Sequence, residues 1–207
     1  MAGPLPEGAR VALKTLAVSL TLAAVALTAC SGTVSDGAAS SSASTSSPSA
    51  TTSATFNDAD VSFATDMISH HRQAVEMAEL ADTRAKRPEV KALAAQIKDA
   101  QGPEIKTMSA WLTAWGRPVP ADMSGMDMSG SMPGMMSTAD MASLSKASGA
   151  DFDTRFLTMM VAHHEGAIEM ARTEISDGAD ADAVALAGQI EKAQTAEIAT
   201  MKKLLSS

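Results

Sequence analysis

The chain repeats itself, and the repeat limits the folds that it can adopt. The segment that begins at Asp60 recurs from Asp153, and the segments that follow keep the same offset without a gap. The recurring residues include all four histidines of the protein, His70, His71, His163 and His164. Similar stretches of one chain are expected to form similar units. The sequence therefore predicts a domain made of two copies of one motif.

Each copy has the apolar spacing of two helices. Apolar residues follow the helical period throughout, and no stretch alternates like a half-buried strand. Asn57 or Asp58 can cap the first helix, and Pro88 suits the first turn of the second. Asp177-Gly178 is a short turn signal, so each helix pair is expected to fold back on itself. The predicted fold is all-α, an antiparallel four-helix bundle built from two repeated helical hairpins.

The first residues have the pattern of an export signal. Arg10 and Lys14 precede an apolar run of secretory length that ends in Leu27-Thr28-Ala29-Cys30. This ending resembles the bacterial lipoprotein cleavage box, in which the cysteine becomes the lipid-modified first residue. We therefore expect residues 1–29 to be a lipoprotein signal peptide, and Cys30 to anchor the protein on the extracytoplasmic face of the cell membrane. An ordinary secretory signal that leaves Cys30 as a free thiol is the alternative, since the chain has one cysteine.

The rest of the chain divides into a tether and one domain. Residues 30–56 are mostly Ser, Thr and Ala, which bury too little surface to offset their ordering entropy, so a flexible tether is expected. Residues 57–207 suffice for one domain. Its predicted parts are a hairpin at 57–115, a Met-rich loop at 116–150 and a hairpin at 151–205. The formal net charge of −8 makes nucleic acid a poor partner.

Helical geometry places a methionine and a histidine together inside each hairpin. His71 lies at the centre of the apolar face of the first helix, one turn after Met67, and an i, i+4 pair of this kind can bind one ion. The second half repeats the pair as Met160 and His164. The partner helices can add a third ligand, which would be Met108 or Met201. Further imidazole and thioether donors lie on the border of these faces and are predicted to be more exposed: His70, Met77, His163, Met159 and Met170.

Polar residues on the apolar faces of the second and fourth helices support two interpretations. They are Gln101, Glu104, Gln194 and Glu197. A buried carboxylate needs a cation, a protonated histidine or a metal opposite it, and the inward histidines are the nearest candidates. In one interpretation the histidines bind metal and these residues orient them. In the other, neutral core histidines are hydrogen-bonded to the two glutamates, and the methionines only fill space.

The segment between the hairpins is rich in methionine. It carries Met123, Met126, Met128, Met132, Met135, Met136 and Met141 among Gly, Ser and Pro. Because the stretch has no helical period, core packing does not account for these residues. Exposed thioethers suit Cu(I), with Ag(I) as a second candidate, since soft sulfur ligands favour soft ions. Alternatively, the methionines have no role or serve as oxidation sinks.

Other metal chemistry fits the sequence less well. Di-iron oxidases of four-helix type use a Glu-x-x-His motif, which the chain lacks. Its repeated glutamates Glu76 and Glu169 instead follow the second histidine of each pair by five residues. Zinc would account for His and Glu but not for the methionines. The sequence shows no phosphate-binding loop and no nucleophile with a base. We therefore expect a protein that is not an enzyme, with a metal-dependent oxidase as the weaker alternative.

The repeated motif resembles a known bacterial family, the exported domain of unknown function 305. The resemblance rests on Met67, His70-His71, Ala74 and Met77-Ala78, on Met160, His163-His164, Ala167 and Met170-Ala171, and on the Gln-x-x-Glu-Ile-x-x-Met segments that begin at Gln101 and Gln194. The family is ferritin-like and includes periplasmic copper-binding proteins of the CopM type. The resemblance implies an extracytoplasmic bundle that binds Cu(I) and Ag(I) and helps cells tolerate copper. We expect a protein that buffers the metal or hands it on, with a copper-handling protein as the candidate partner. A structural or interaction domain with a buried His-Gln-Glu network is the alternative.

Overall fold

The computed structural model describes residues 55–121 and 132–207, which form five helices and no strand. The helices are α1 (Asp58–Arg84), α2 (Pro88–Ala114), α3 (Thr138–Lys146), α4 (Gly149–Asp177) and α5 (Ala181–Leu205). The long helices pair as α1 with α2 and α4 with α5, and α1 packs against α4. The predicted all-α, antiparallel four-helix bundle is confirmed. The signal peptide, Cys30, most of the tether, and Met123, Met126 and Met128 lie outside the described residues.

Local sequence accounts for the ends of the helices. Asn57 accepts hydrogen bonds from the first turn of α1, while Asp60 accepts one from the Asn57 N–H, which completes a capping box. Asp180 caps α5 in a similar way, and Pro88 begins α2. The short helix α3 was not predicted from the sequence; it lies within the Met-rich loop and begins with a second capping box. A nine-residue helix has too few turns for its apolar period to be recognised.

Two apolar clusters fill the bundle, one toward each end. The Phe63 cluster comprises Phe63, Ala64, Met67, Ile68, Met108, Leu112, Ala167, Ala171, Ala187 and Ile190. The Phe156 cluster joins the last turns of α1 and the start of α2 to the first half of α4, and includes Met77, Phe152, Phe156, Met160 and Met201. The four histidines fall between these clusters along α1 and α4. A polar layer therefore crosses the middle of the bundle.

Two buried aspartates hold the hairpins together reciprocally. Asp153 on α4 accepts hydrogen bonds from the backbone N–H groups of Lys86 and Arg87, in the α1–α2 turn, at 2.9 and 3.0 Å. Its repeat equivalent, Asp60 on α1, accepts from the N–H groups of Ala179 and Asp180, in the α4–α5 turn, at 3.1 and 2.9 Å. Each half thus holds the turn of the other, as in a two-fold symmetric dimer.

Candidate metal centre

The four histidines are buried where α1 packs against α4. The rings of His70 and His163 have centroids 3.7 Å apart, with planes tilted by 40°. They occupy equivalent positions of the repeat, so the pseudo-two-fold axis passes between them. The prediction that these two residues are more exposed was wrong, because they are only 0% and 1% exposed. Because α1 packs against both α2 and α4, residues beside its apolar face are buried as well.

Two glutamates orient the other two histidines. The Nε2 atom of His71 donates to the Glu104 carboxylate at 2.7 Å, and His164 donates to Glu197 at the same distance. The predicted pairing is confirmed, although both carboxylates are partly exposed, at 21% and 20%, rather than buried. Because a carboxylate only accepts, Nε2 carries the hydrogen, and in the neutral ring Nδ1 holds the lone pair. Carboxylates orient histidine ligands of metals in this way.

His70 and His163 are held in their neutral form. Burial, followed by the nearby His71, lowers the pKa of His70 to about 3. Burial and the neighbouring His70 hold the pKa of His163 well below its usual value. The Nε2 atom of His70 donates to the Pro133 carbonyl oxygen at 3.1 Å, so its Nδ1 atom also holds the lone pair. Within the described residues, Nδ1 has no hydrogen-bond partner in any of the four rings.

Thioethers lie on both sides of the histidine layer. Met67 and Met108 belong to the Phe63 cluster, and Met170 packs at its edge. Their repeat equivalents, Met160, Met201 and Met77, all belong to the Phe156 cluster. Each trio takes two methionines from one hairpin and one from the other, an arrangement that was not predicted from the sequence. Met77 is fully buried, so the prediction that it is more exposed was wrong for the same reason as for His70.

The described part of the Met-rich loop is packed rather than exposed. Met132, Met135, Met136 and Met141 are all partly buried, and the last two pack against the Phe156 cluster. The prediction of exposed thioethers was therefore wrong for these four residues. Local composition could not reveal this packing, because it depends on a contact between the loop and α1. The side-chain amide of Gln73 makes that contact by bonding to the backbone of Met136.

The donor set of the site is imidazole and thioether. In residues 55–121 and 132–207, no three His, Cys, Asp or Glu side chains are grouped so that they could hold a metal ion. Gln101 and Gln194 are buried, and their side-chain oxygens find no donor among the same residues. Within the described part of the chain, no helix combines the length and apolar character needed to span a membrane.

The profile of the domain of unknown function DUF305 matches residues 60–205. The chain belongs to this family. DUF305 proteins of known structure include one from Streptomyces coelicolor, which is 33% identical and has a TM-score of 0.65. That match covers 72% of this chain and 92% of the other. A DUF305 fragment from Deinococcus radiodurans is 32% identical, with a TM-score of 0.65 and coverages of 72% and 97%.

CopM is a further structural relative of this DUF305 chain. Its Cu(II)-bound form is 37% identical and has a TM-score of 0.63. That match covers 71% of this chain and 95% of the CopM chain. CopM has also been solved in Cu(I)-bound and Ag-bound forms, each 34% identical to this chain. No curated protein matches the chain.

Proposed function

We propose that this DUF305 domain binds Cu(I) and Ag(I), and that it buffers or transfers the metal and so contributes to copper tolerance. One observation carries the proposal: four buried imidazoles lie between two trios of thioethers, and no Nδ1 atom of the four has a hydrogen-bond partner among the described residues. Thioethers favour soft monovalent ions, and neutral imidazole is a ligand that copper also accepts. The similarity to CopM, which has been solved with bound copper and silver, supports the proposal.

Orientation of the rings adds to this argument. A metal ligand must offer a lone pair, and the hydrogen bonds of His71 and His164 to carboxylates leave that lone pair on Nδ1. The low pKa of His70 means that protons compete little for its nitrogen at neutral pH. The site is therefore prepared to accept a cation without first releasing a proton from His70.

The proposed location is the extracytoplasmic face of the cell membrane. The lipoprotein box that ends at Cys30 supports a lipid-anchored domain that the Ser/Thr/Ala-rich tract joins to its anchor. A domain held there would meet copper before or after its passage through the membrane, which fits buffering or transfer better than catalysis.

A structural or interaction domain is the second candidate. The observation that favours it is the pair of hydrogen bonds that join Glu104 to His71 and Glu197 to His164, because such bonds can also serve to specify a core. In that case the methionines only fill space, and leucine should replace them without loss of function.

Replacing methionine by leucine separates the two candidates. The exchange conserves volume, so Met67→Leu with Met160→Leu should leave the fold intact. If the thioethers are ligands, Cu(I) affinity should fall by about tenfold or more, measured by competition with a Cu(I) chelator under reducing conditions. Ile168→Leu is the matched control, since it is a volume-conserving swap at a buried position of α4 that leaves the number of thioethers unchanged. A wild-type protein that fails to compete for Cu(I) would overturn the proposal, as would a double variant with unchanged affinity.

A further inference from the structure

We propose that residues 132–137, which we call the strap, form a gate over the His70–His163 pair that binding of the ion closes more firmly. This inference rests on the proposed function for the identity of the ion. The docked position of the strap depends only on contacts between residues of the chain. Three contacts hold it against the bundle, and each involves a residue beside or within the histidine layer.

The first contact is a two-point hydrogen bond with Gln73. The side-chain amide of Gln73 donates to the Met136 carbonyl oxygen at 2.9 Å, and its oxygen accepts from the Met136 N–H at 2.7 Å. The amide thus pairs with the strap as a neighbouring strand would. Gln73 is buried on α1, two residues after His71, so this contact fixes the strap directly over the histidine layer.

The second contact is a close approach of two backbones at Gly166. A Cβ atom at this position would overlap the Pro133 carbonyl group and lie 2.7 Å from the Gly134 nitrogen. Gly134 has a φ of +75°, and its own Cβ would lie 2.7 Å from the Ala162 oxygen and 2.9 Å from the His163 oxygen. Only glycine fits at either position while the strap is docked.

The third contact joins the strap to the site itself. The Pro133 carbonyl oxygen accepts the Nε2–H of His70, as Glu104 and Glu197 do for the other two oriented histidines. His163 has no such partner among the described residues. An ion bound at Nδ1 of His70 makes its Nε2–H a stronger donor, so metal binding should tighten the strap.

The two halves of the repeat differ where they meet the strap. Gln73 and Gly166 occupy equivalent positions within otherwise similar segments. Gln73 binds the strap through its side-chain amide, whereas Gly166, which has no side chain, leaves room for the strap backbone. Both differences serve the same docked segment, which lies across the pseudo-two-fold axis. Two identical straps could not occupy this place, so the docked strap requires a different residue in each half at this position.

Opening the strap is the easiest route to the buried histidines. Pro133 is exposed and the rest of the strap is only partly buried. Among the described residues, opening breaks three hydrogen bonds to the bundle and separates Met136 from the edge of the Phe156 cluster, but it leaves the buried core of that cluster in place. Separating α1 from α4 would instead disrupt both apolar clusters. The strap also carries Met132, Met135 and Met136, so an ion held by their thioethers would lie close to the site that it enters.

Two glycine substitutions test the gate. Gly166→Ala should undock the strap, whereas Gly188→Ala, on α5 with open space around it, is the matched control for the change in helix propensity. Hydrogen exchange of the Met136 amide is measured in the metal-free protein, and Cu(I) release to a chelator in the loaded protein. Gly166→Ala should speed both by about tenfold or more, and Gly188→Ala should change neither.

A second variant covers the case in which Gly166→Ala disturbs α4 itself. Gln73→Ala removes both hydrogen bonds to Met136 without adding an atom, and it should also speed both processes. Wild-type rates in both variants would overturn the gate. If the wild-type protein binds no Cu(I), the proposed function fails, whereas Met136 exchange in the metal-free protein still decides whether the strap is docked as described. Faster exchange with unchanged Cu(I) release would refute a role in metal access.

Discussion

Replacing Glu197 by glutamine should weaken Cu(I) binding more than it weakens the fold. The carboxylate accepts the Nε2–H of His164 at 2.7 Å, and the glutamine oxygen can accept the same bond. Because the donor stays satisfied and Glu197 is partly exposed, the free energy of unfolding should change by less than about 1 kcal/mol. Losing the negative charge makes Nδ1 a weaker ligand, which should cost about 10–100-fold in Cu(I) affinity.

Two measurements on one set of variants test this reasoning. Chelator competition gives the Cu(I) affinity, and urea denaturation gives the stability. Glu104→Gln should behave like Glu197→Gln, since its carboxylate meets His71 in the same geometry. Glu191→Gln is the control, because it removes only an ion pair with Arg172 outside the site. Wild-type affinity in Glu197→Gln would refute ligation by His164 through Nδ1, and a large loss of stability with unchanged affinity would favour the structural network.

Three further predictions concern the ends of the bundle and the loop. Asp153→Ala should lower the free energy of unfolding by about 2–4 kcal/mol in urea denaturation, because two backbone N–H groups lose a charged acceptor. The control is Asp151→Ala, which removes an exposed carboxylate and should change the free energy of unfolding by about 0.5 kcal/mol or less. Burial and the nearby Asp60 raise the pKa of Glu174 to about 8, so the folded protein keeps a proton that the unfolded chain loses above about pH 4.5. Stability should therefore fall as the pH rises from about 4.5 to 8, by at most about 5 kcal/mol, and Glu174→Gln should flatten this slope in thermal melts. Deleting residues 122–131 should lower the number of Ag(I) ions bound in a titration but leave the tightest site intact, and loss of all tight binding would place that site in the loop.

Local patterns explain why much of the fold could be predicted. Asn57, Pro88 and Asp177-Gly178 act within a few residues of the helix ends that they mark, so no knowledge of tertiary contacts was needed. The pairing of His71 with Glu104 also followed from the faces of two adjacent helices joined by a short turn. Its repetition as His164 and Glu197 made the inference stronger, because one accidental pattern would not recur at the same offset.

Contacts between the hairpins could not be predicted in this way. The helical period alone placed His70 and Met77 on the border of the apolar face of α1. Only the packing of α1 against α4 shows that both side chains are buried. The reciprocal roles of Asp60 and Asp153 were likewise hidden, since each carboxylate bonds to a turn far away in the sequence. A comparison of the two halves could have singled out Gln73 against Gly166, but not the segment that they hold.

The sequence by itself determined the helices, their pairing into two hairpins and the residue types of the candidate site, because these depend on periodicity and on short-range contacts. Tertiary structure alone decided that His70 meets His163, that the thioethers form two mixed trios, and that residues 132–137 lie across the axis between the halves. The physical reason is that a repeat specifies two similar units but not the angle or register at which they pack. That choice is made by the buried surfaces and hydrogen bonds that the two units share.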